Sequence, residues 1–193
     1  KLIVTASTGK NHIDEEFCKS KEILVKGLLD SDVVKNIKAS SEFTFLLCLA
    51  AIRNFKASLK TVHDGNWRNV EEKLRGREIY GLNIGIIGFG RIGSNLANYF
   101  QALGSKILAY DPYVFDFSGF NKEIQVCSNL KELLKDSDVV ITSVSLNDET
   151  KNMVNEEFFR NLKRGCTYIN TSRGDVVDEE ALLNALETKK ISS

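Results

Sequence analysis

Three glycines, one aspartate and one arginine carry the chemistry that can be read directly from this chain. Gly88, Gly90 and Gly93 stand in LNIGIIGFGRIG (Leu82–Gly93), where a short apolar run gives way to glycine and then at once to a helical pattern. Strand, glycine turn and helix start together aim backbone N–H groups and a helix dipole at a phosphate. Gly88 allows the tight turn, Gly90 lets the backbone approach a pyrophosphate, and Gly93 lets helix and strand pack closely. Arg91 and Ile92 fall inside the same loop, with Arg91 placed either to reach the pyrophosphate or to stay solvated. Asp111 ends the next strand, 18 residues past Gly93, where an acid can hold a ribose. Standing before Pro112, it also suits a turn. A carboxylate at that place repels a 2′-phosphate, so the expected cofactor is NAD rather than NADP. Arg173 lies in INTSRGDVVDEEALLNAL, just past a strand and before a glycine. Its guanidinium can grip a carboxylate through two parallel hydrogen bonds and polarise an adjacent carbonyl. A surface arginine in a tight turn is the plain alternative. An adhesion reading of the embedded RGD is set aside, because the chain shows no secretory feature.

The elements that must position these residues alternate. Leu2–Thr5 predicts a buried strand, Ala6–Gly9 a small-residue turn, Asp14–Glu16 the first turn of a helix, and Glu22–Val25 a second strand. Ser41–Leu59 predicts one long helix, apolar on nearly every side and so buried on more than one face. Lys60–Tyr80 is a polar surface arm around Trp67, which can anchor a partner subunit or pack on its own domain. Helices follow over Ser94–Leu103, Leu130–Leu134, Glu156–Leu162 and Asp178–Thr188, the last with Ala181, Leu182, Leu183, Ala185 and Leu186 inward. Strands follow over Lys106–Tyr110, Asp138–Thr142 and Thr167–Asn170. This alternation predicts βαβ units and an α/β fold with a doubly wound parallel sheet of the Rossmann type. Ligands of such sheets bind beyond the carboxyl ends of the strands. The loops there carry Ser7–Gly9, Ser143–Asn147 and Thr171–Arg173.

Composition excludes several classes. Lys plus Arg is 26 and Asp plus Glu is 26, so the positive excess that nucleic acid or a membrane surface requires is missing. No apolar run reaches bilayer length. Cys18, Cys48, Cys127 and Cys166 are too far apart for a metal site or a C-x-x-C pair, and His12 and His63 lie in no metal-binding spacing. The expectation is a cytoplasmic protein with reduced thiols and no metal.

Taken together the residues are recognisable. The chain resembles the D-isomer-specific 2-hydroxyacid dehydrogenases over nearly its whole length, and within them the phosphoglycerate-dehydrogenase-like members. TASTGKNHID (Thr5–Asp14) is similar to the family's substrate loop and SEFTFLLCLAAIRN (Ser41–Asn54) to its interdomain helix. GLNIGIIGFGRIG (Gly81–Gly93), YDPY (Tyr110–Tyr113) and SLNDETKNMVN (Ser145–Asn155) are similar to its NAD domain, and INTSRGDVVDEEAL (Ile169–Leu182) to its catalytic-arginine segment. The resemblance implies that residues 1–40 are the end of a smaller α/β substrate domain, 41–59 the interdomain helix, and 60–193 an NAD-binding domain truncated at its C-terminal end. It implies that Thr8 and Gly9 offer N–H groups to the substrate carboxylate. Arg173 would bind that carboxylate and the keto oxygen. Asp111 would hold the adenosine ribose, with Ser145 and Leu146 near the adenosine and Thr44 and Thr171 near the nicotinamide. It further implies a small 2-hydroxy or 2-keto acid as substrate; the expected partner is a second copy of the chain, as a homodimer through the nucleotide domain and the Trp67 arm. Where many members read His-x-Pro-Leu-Thr, this chain reads Ser143-Val-Ser-Leu-Asn147. The family's acid–base histidine and glutamate follow the arginine, yet none of the 20 residues beyond Arg173 is His. The 193 residues alone are therefore expected to hold NAD without turnover. A non-catalytic NAD-sensing or corepressor module, a purely structural dimerising fragment, and a glyoxylate or hydroxypyruvate reductase are the rival readings.

Overall fold

The computed structural model describes residues 1–10, 12–67, 70–114 and 124–193. They divide into two compact units, Lys1–Lys38 and Ala39–Ser193. Asn11 of the Thr5–Asp14 segment, and Arg68 and Asn69 of the Trp67 arm, lie outside the described residues.

The first unit is a small βαβ. Strand β1 (Leu2–Val4) pairs in parallel with β2 (Leu24–Lys26), Leu2 facing Leu24, and α1 (Glu15–Ser20) connects them. The Asp14 side chain caps α1 by accepting from the Phe17 N–H, and Glu15 and Glu16 follow in the first turn, as their charge against the dipole requires. The strand expected to be buried is exposed: Leu2 and Val4 keep 59% and 71% of their surface. Two strands of three residues each form too narrow a sheet to cover their own side chains. Two 3₁₀ turns, Leu28–Asp30 and Asp32–Asn36, close the unit.

The second unit starts with α2 (Ala39–Ile52), α3 (Phe55–His63) and α4 (Glu71–Leu74). Next come β3 (Asn83–Ile87), α5 (Arg91–Ala102), β4 (Lys106–Tyr110) and β5 (Ile124–Val126). The chain continues through α6 (Leu130–Asp136), β6 (Val139–Thr142), α7 (Glu156–Asn161), β7 (Thr167–Asn170) and α8 (Glu179–Glu187). The sheet is parallel throughout, in the order β5-β4-β3-β6-β7. Ile87 therefore sits between Tyr110 and Thr142, with the strand ends level around it. The order reverses direction at β3, the topological switch point of a doubly wound sheet. Alternate strand residues serve two cores. Ile84, Ile86, Ile107, Ala109 and Ile141 pack with Leu96 and Phe100 of α5 and Cys48 and Ile52 of α2. Ile87, Leu108, Val140 and Tyr168 pack on the other face with Leu133, Phe158 and Phe159. Burial on both faces explains why these strands read as continuous apolar runs.

Three expectations need correction. The single helix over Ser41–Leu59 is two. Asn54 adopts a left-handed φ of 51°, its side chain donates to the Arg75 carbonyl at 3.0 Å, and the Arg77 N–H takes the Ile52 carbonyl at 2.9 Å. Those bonds replace the helical ladder at the break. Helix α2 is also not buried all round. Ser41, Thr44, Cys48 and Ile52 form a buried stripe at helical spacing, while Phe43 and Leu46 stay more than half exposed. Likewise α8 buries Ala185 but leaves Leu183 and Leu186 largely exposed, because one face of a short helix meets the core. The edge strand β5 is too short to be seen in the sequence. Among the described residues no helix is long and apolar enough to cross a membrane.

Candidate functional site

The carboxyl ends of β3, β4, β6 and β7 place four loops of the second unit along one edge of the sheet. The first is the glycine loop between β3 and α5. Gly88 has φ 87°, and a Cβ there would stand 2.7 Å from the Ser143 carbonyl oxygen. A Cβ on Gly93 would stand 2.2 Å from the Gly88 carbonyl oxygen, so the helix start and the turn are packed backbone to backbone. Gly90 differs from both: a Cβ there would meet nothing within 4 Å. It is the N-cap of α5, a 12-residue helix, and glycine brings no capping side chain of its own. Open space over Gly90 at a helix start fits a pyrophosphate, whose oxygens would accept from N–H groups of the first turn.

The glycine loop is stapled from both sides. Asp111 Oδ2 accepts the Phe89 N–H at 2.7 Å, and Asp111 Oδ1 accepts the Tyr113 N–H at 2.9 Å. Asp111 therefore holds two loops in place, and each of its oxygens keeps a lone pair for a ribose hydroxyl. On the other side Ser143 Oγ donates to the Gly88 carbonyl at 2.6 Å. Asp111 stands out in the sequence, whereas the bracing role of Ser143 depends on β3 and β6 lying side by side. Arg91 and Ile92 begin α5, half-buried. Ser145 gives its carbonyl to Thr150 Oγ1 at 2.6 Å, and Leu146 packs against the core.

The loop after β7 carries Arg173. Asn170 Nδ2 donates to the Arg173 carbonyl at 3.0 Å and Asn170 Oδ1 accepts the Ser172 N–H. Ser172 Oγ in turn donates to the Thr142 carbonyl and accepts the Val144 N–H. The loop backbone is fixed, and Arg173 itself is exposed. Its guanidinium donates to the Ser172 carbonyl at 2.8 Å and pairs with no carboxylate among the described residues. Thr44 is fully buried beside this loop. Its hydroxyl donates to the Ser40 carbonyl at 2.7 Å and lies 2.7 Å from Thr171 Oγ1. With the Thr44 proton committed to Ser40, Thr171 must be the donor of that second bond. Thr171 then faces any ligand with lone pairs only.

Thr8 and Gly9 belong to the first unit. Their turn is held by Ser7 Oγ donating to the Gly9 carbonyl at 2.6 Å and by the Leu28 N–H on the Ser7 carbonyl. All four cysteines are buried and free. Burial pushes the Cys48 and Cys166 thiols up to about 12 and the Cys127 thiol to about 11, so these are packing groups and not nucleophiles. His63 ends α3, exposed.

Residues 45–193 match the family model for the D-isomer specific 2-hydroxyacid dehydrogenase NAD binding domain. The chain belongs to the D-isomer-specific 2-hydroxyacid dehydrogenases. It is 31% identical to a D-3-phosphoglycerate dehydrogenase of Methanocaldococcus jannaschii over 99% of its own length and 35% of that protein. A glyoxylate reductase of Korarchaeum cryptofilum is 37% identical over 78% of this chain and 46% of the relative. Among solved structures, D-lactate dehydrogenase from Aquifex aeolicus, complexed with NAD and lactic acid, superposes with a TM-score of 0.88. It is 38% identical and is matched over all of this chain and 56% of its own. The chain thus spans about a third to just over half of these relatives. What it carries is the dehydrogenase family's NAD-binding domain, built on the parallel sheet described above.

Proposed function

We propose that this chain serves an NAD-dependent dehydrogenase that moves hydride between NAD and a small 2-hydroxy or 2-keto acid. Gly88, Gly90, Arg91, Ile92 and Gly93 would hold the pyrophosphate, Asp111 the adenosine ribose, and Ser145 and Leu146 the adenosine. Thr171, oriented by Thr44, would accept from the nicotinamide end. Bound NAD supplies the hydride acceptor or donor. Arg173 would bind the substrate carboxylate and keto oxygen. The single observation that carries the enzyme reading is Arg173, an exposed guanidinium on a fixed loop without a carboxylate partner among the described residues. An NAD-sensing module has no use for it. Replacing it tests this in the full-length protein: Arg173→Ala loses rate by orders of magnitude while NADH affinity holds. An unchanged rate favours the sensing module.

Phosphoglycerate-type substrates, and as the alternative glyoxylate- or hydroxypyruvate-type substrates, both fit this reading. Neither histidine of these 193 residues lies past Arg173, so the general base for the hydroxyl proton is not supplied by that segment. We accordingly propose NAD binding without turnover for this stretch alone. Phe55, Leu59, Val62 and Trp67 stand more than half exposed along α3 and the arm, which supports a homodimer through this surface. Four unpaired cysteines support a cytoplasmic location.

A further inference from the structure

One hydrogen bond spans the crevice where the nucleotide is expected. Tyr113 stands just beyond the end of β4 and Glu149 in the loop after β6, and the Tyr113 hydroxyl donates to Glu149 Oε2 at 2.5 Å. Strand β3 lies between β4 and β6. The bond therefore passes from one flank of the glycine loop to the other, above the switch point of the sheet. Each end stands on a fixed post. The Tyr113 N–H is held by Asp111 Oδ1, and Asp111 is itself tied to Phe89. The Glu149 N–H is held at 3.0 Å by Asn147 Oδ1, which also takes the Thr150 N–H at 2.9 Å. Among the described residues, the Tyr113 and Glu149 side chains join the two posts directly.

Both side chains are exposed, Tyr113 at 67%, so water competes for the bond and packing does not enforce it. A short charge-assisted bond in that setting holds two loops together yet opens readily. The Glu149 carboxylate beside the phenol also raises the Tyr113 pKa, so the proton that makes the bond stays on the tyrosine across the neutral range.

We propose that Tyr113 and Glu149 form a clasp across the adenosine end of the crevice, which a dinucleotide must open both to enter and to leave. The pair then sets the speed of cofactor exchange more than its affinity. The inference rests on the reading that NAD occupies this crevice.

Stopped-flow fluorescence with NADH on the full-length protein tests it, using Tyr113→Phe, Glu149→Ala, the double variant and Glu149→Gln. Tyr113→Phe and Glu149→Ala each raise the association and dissociation rate constants together, by roughly three- to tenfold for one exposed charge-assisted bond. The Kd stays within about twofold, the double variant matches the singles, and Glu149→Gln falls between them and the wild type. Unchanged rates, a change in dissociation alone, or additive effects in the double variant overturn the clasp while leaving NAD in the crevice. Absence of NADH binding by the wild-type protein overturns both.

Discussion

Gly90→Ala separates what the glycine loop does for folding from what it does for the cofactor. Gly90 has φ −73°, which any L residue adopts, and an added Cβ would meet nothing within 4 Å. The only folding cost is the poorer N-cap, about 0.5–1 kcal/mol. That lowers Tm by about 1–4 °C in a chain of this size. The methyl would, however, fill the space through which a pyrophosphate is proposed to reach the first N–H groups of α5. Losing one charge-assisted hydrogen bond costs about 1.5–3 kcal/mol. NADH binding should then weaken by about tenfold to a hundredfold. Gly93→Ala is the reverse case. Its Cβ would lie 2.2 Å from the Gly88 carbonyl oxygen and 3.1 Å from Ile86 Cγ2, so α5 must retreat from β3. Overpacking of this kind costs about 1–3 kcal/mol, a Tm loss of roughly 2–12 °C. Thermal melts and NADH fluorescence titrations on the two variants give the result directly. A Gly90→Ala protein that binds NADH like the wild type refutes the reasoning. A Gly93→Ala protein with an unshifted Tm refutes it equally.

Three further outcomes follow from the same geometry. Asp111→Asn places an NH₂ group against one of the two backbone N–H donors at Phe89 and Tyr113, so NADH affinity should fall about tenfold and the preference for NADH over NADPH should narrow; titration with both nucleotides checks this, and an intact preference contradicts it. Burial raises the Asp138 carboxyl, but the Asn83 N–H at 2.9 Å, Lys163 at 3.2 Å and Arg77 at 3.5 Å outweigh it, and its pKa is lowered in the fold. A lowered folded pKa gives stability that is present above the ordinary aspartate range near pH 4 and is lost as pH falls through the folded value. Asp138→Asn should therefore be about 1 kcal/mol less stable than the wild type at pH 7 by urea unfolding, with the gap closing in acid; a gap that persists in acid contradicts the account. The raised thiols of Cys48, Cys127 and Cys166 should resist a disulfide reagent at pH 8 until the chain is unfolded, and rapid labelling of the native protein counts against their burial.

The nucleotide half of the fold was legible because its strands are buried on both faces and its turns carry glycine where only glycine fits. The β3–α5 turn, Asp111 at the end of β4 and the alternation of strands and helices all follow from local pattern. What the sequence hid depends on neighbours distant along the chain. The break between α2 and α3 is made by Arg75 and Arg77 returning to Asn54 and Ile52. The exposure of Phe43 and Leu46 depends on which side of α2 meets the core. At the site, Arg173 and Thr171 stood out by motif. The bracing by Ser143 and the Tyr113–Glu149 bond needed β4, β3 and β6 to be placed side by side.

The most direct test of the central claim, that NAD lies along the glycine loop, is a titration of the ¹⁵N-labelled chain with NAD followed by backbone amide NMR. The account predicts saturable shifts concentrated at Gly90, Arg91 and Ile92, at Asp111 and Tyr113, and at Ser145 and Thr171, with Trp67 and the first unit's Leu2 and Leu24 unmoved. Shifts centred on the Trp67 arm, with the Gly90–Ile92 amides unmoved, would contradict it.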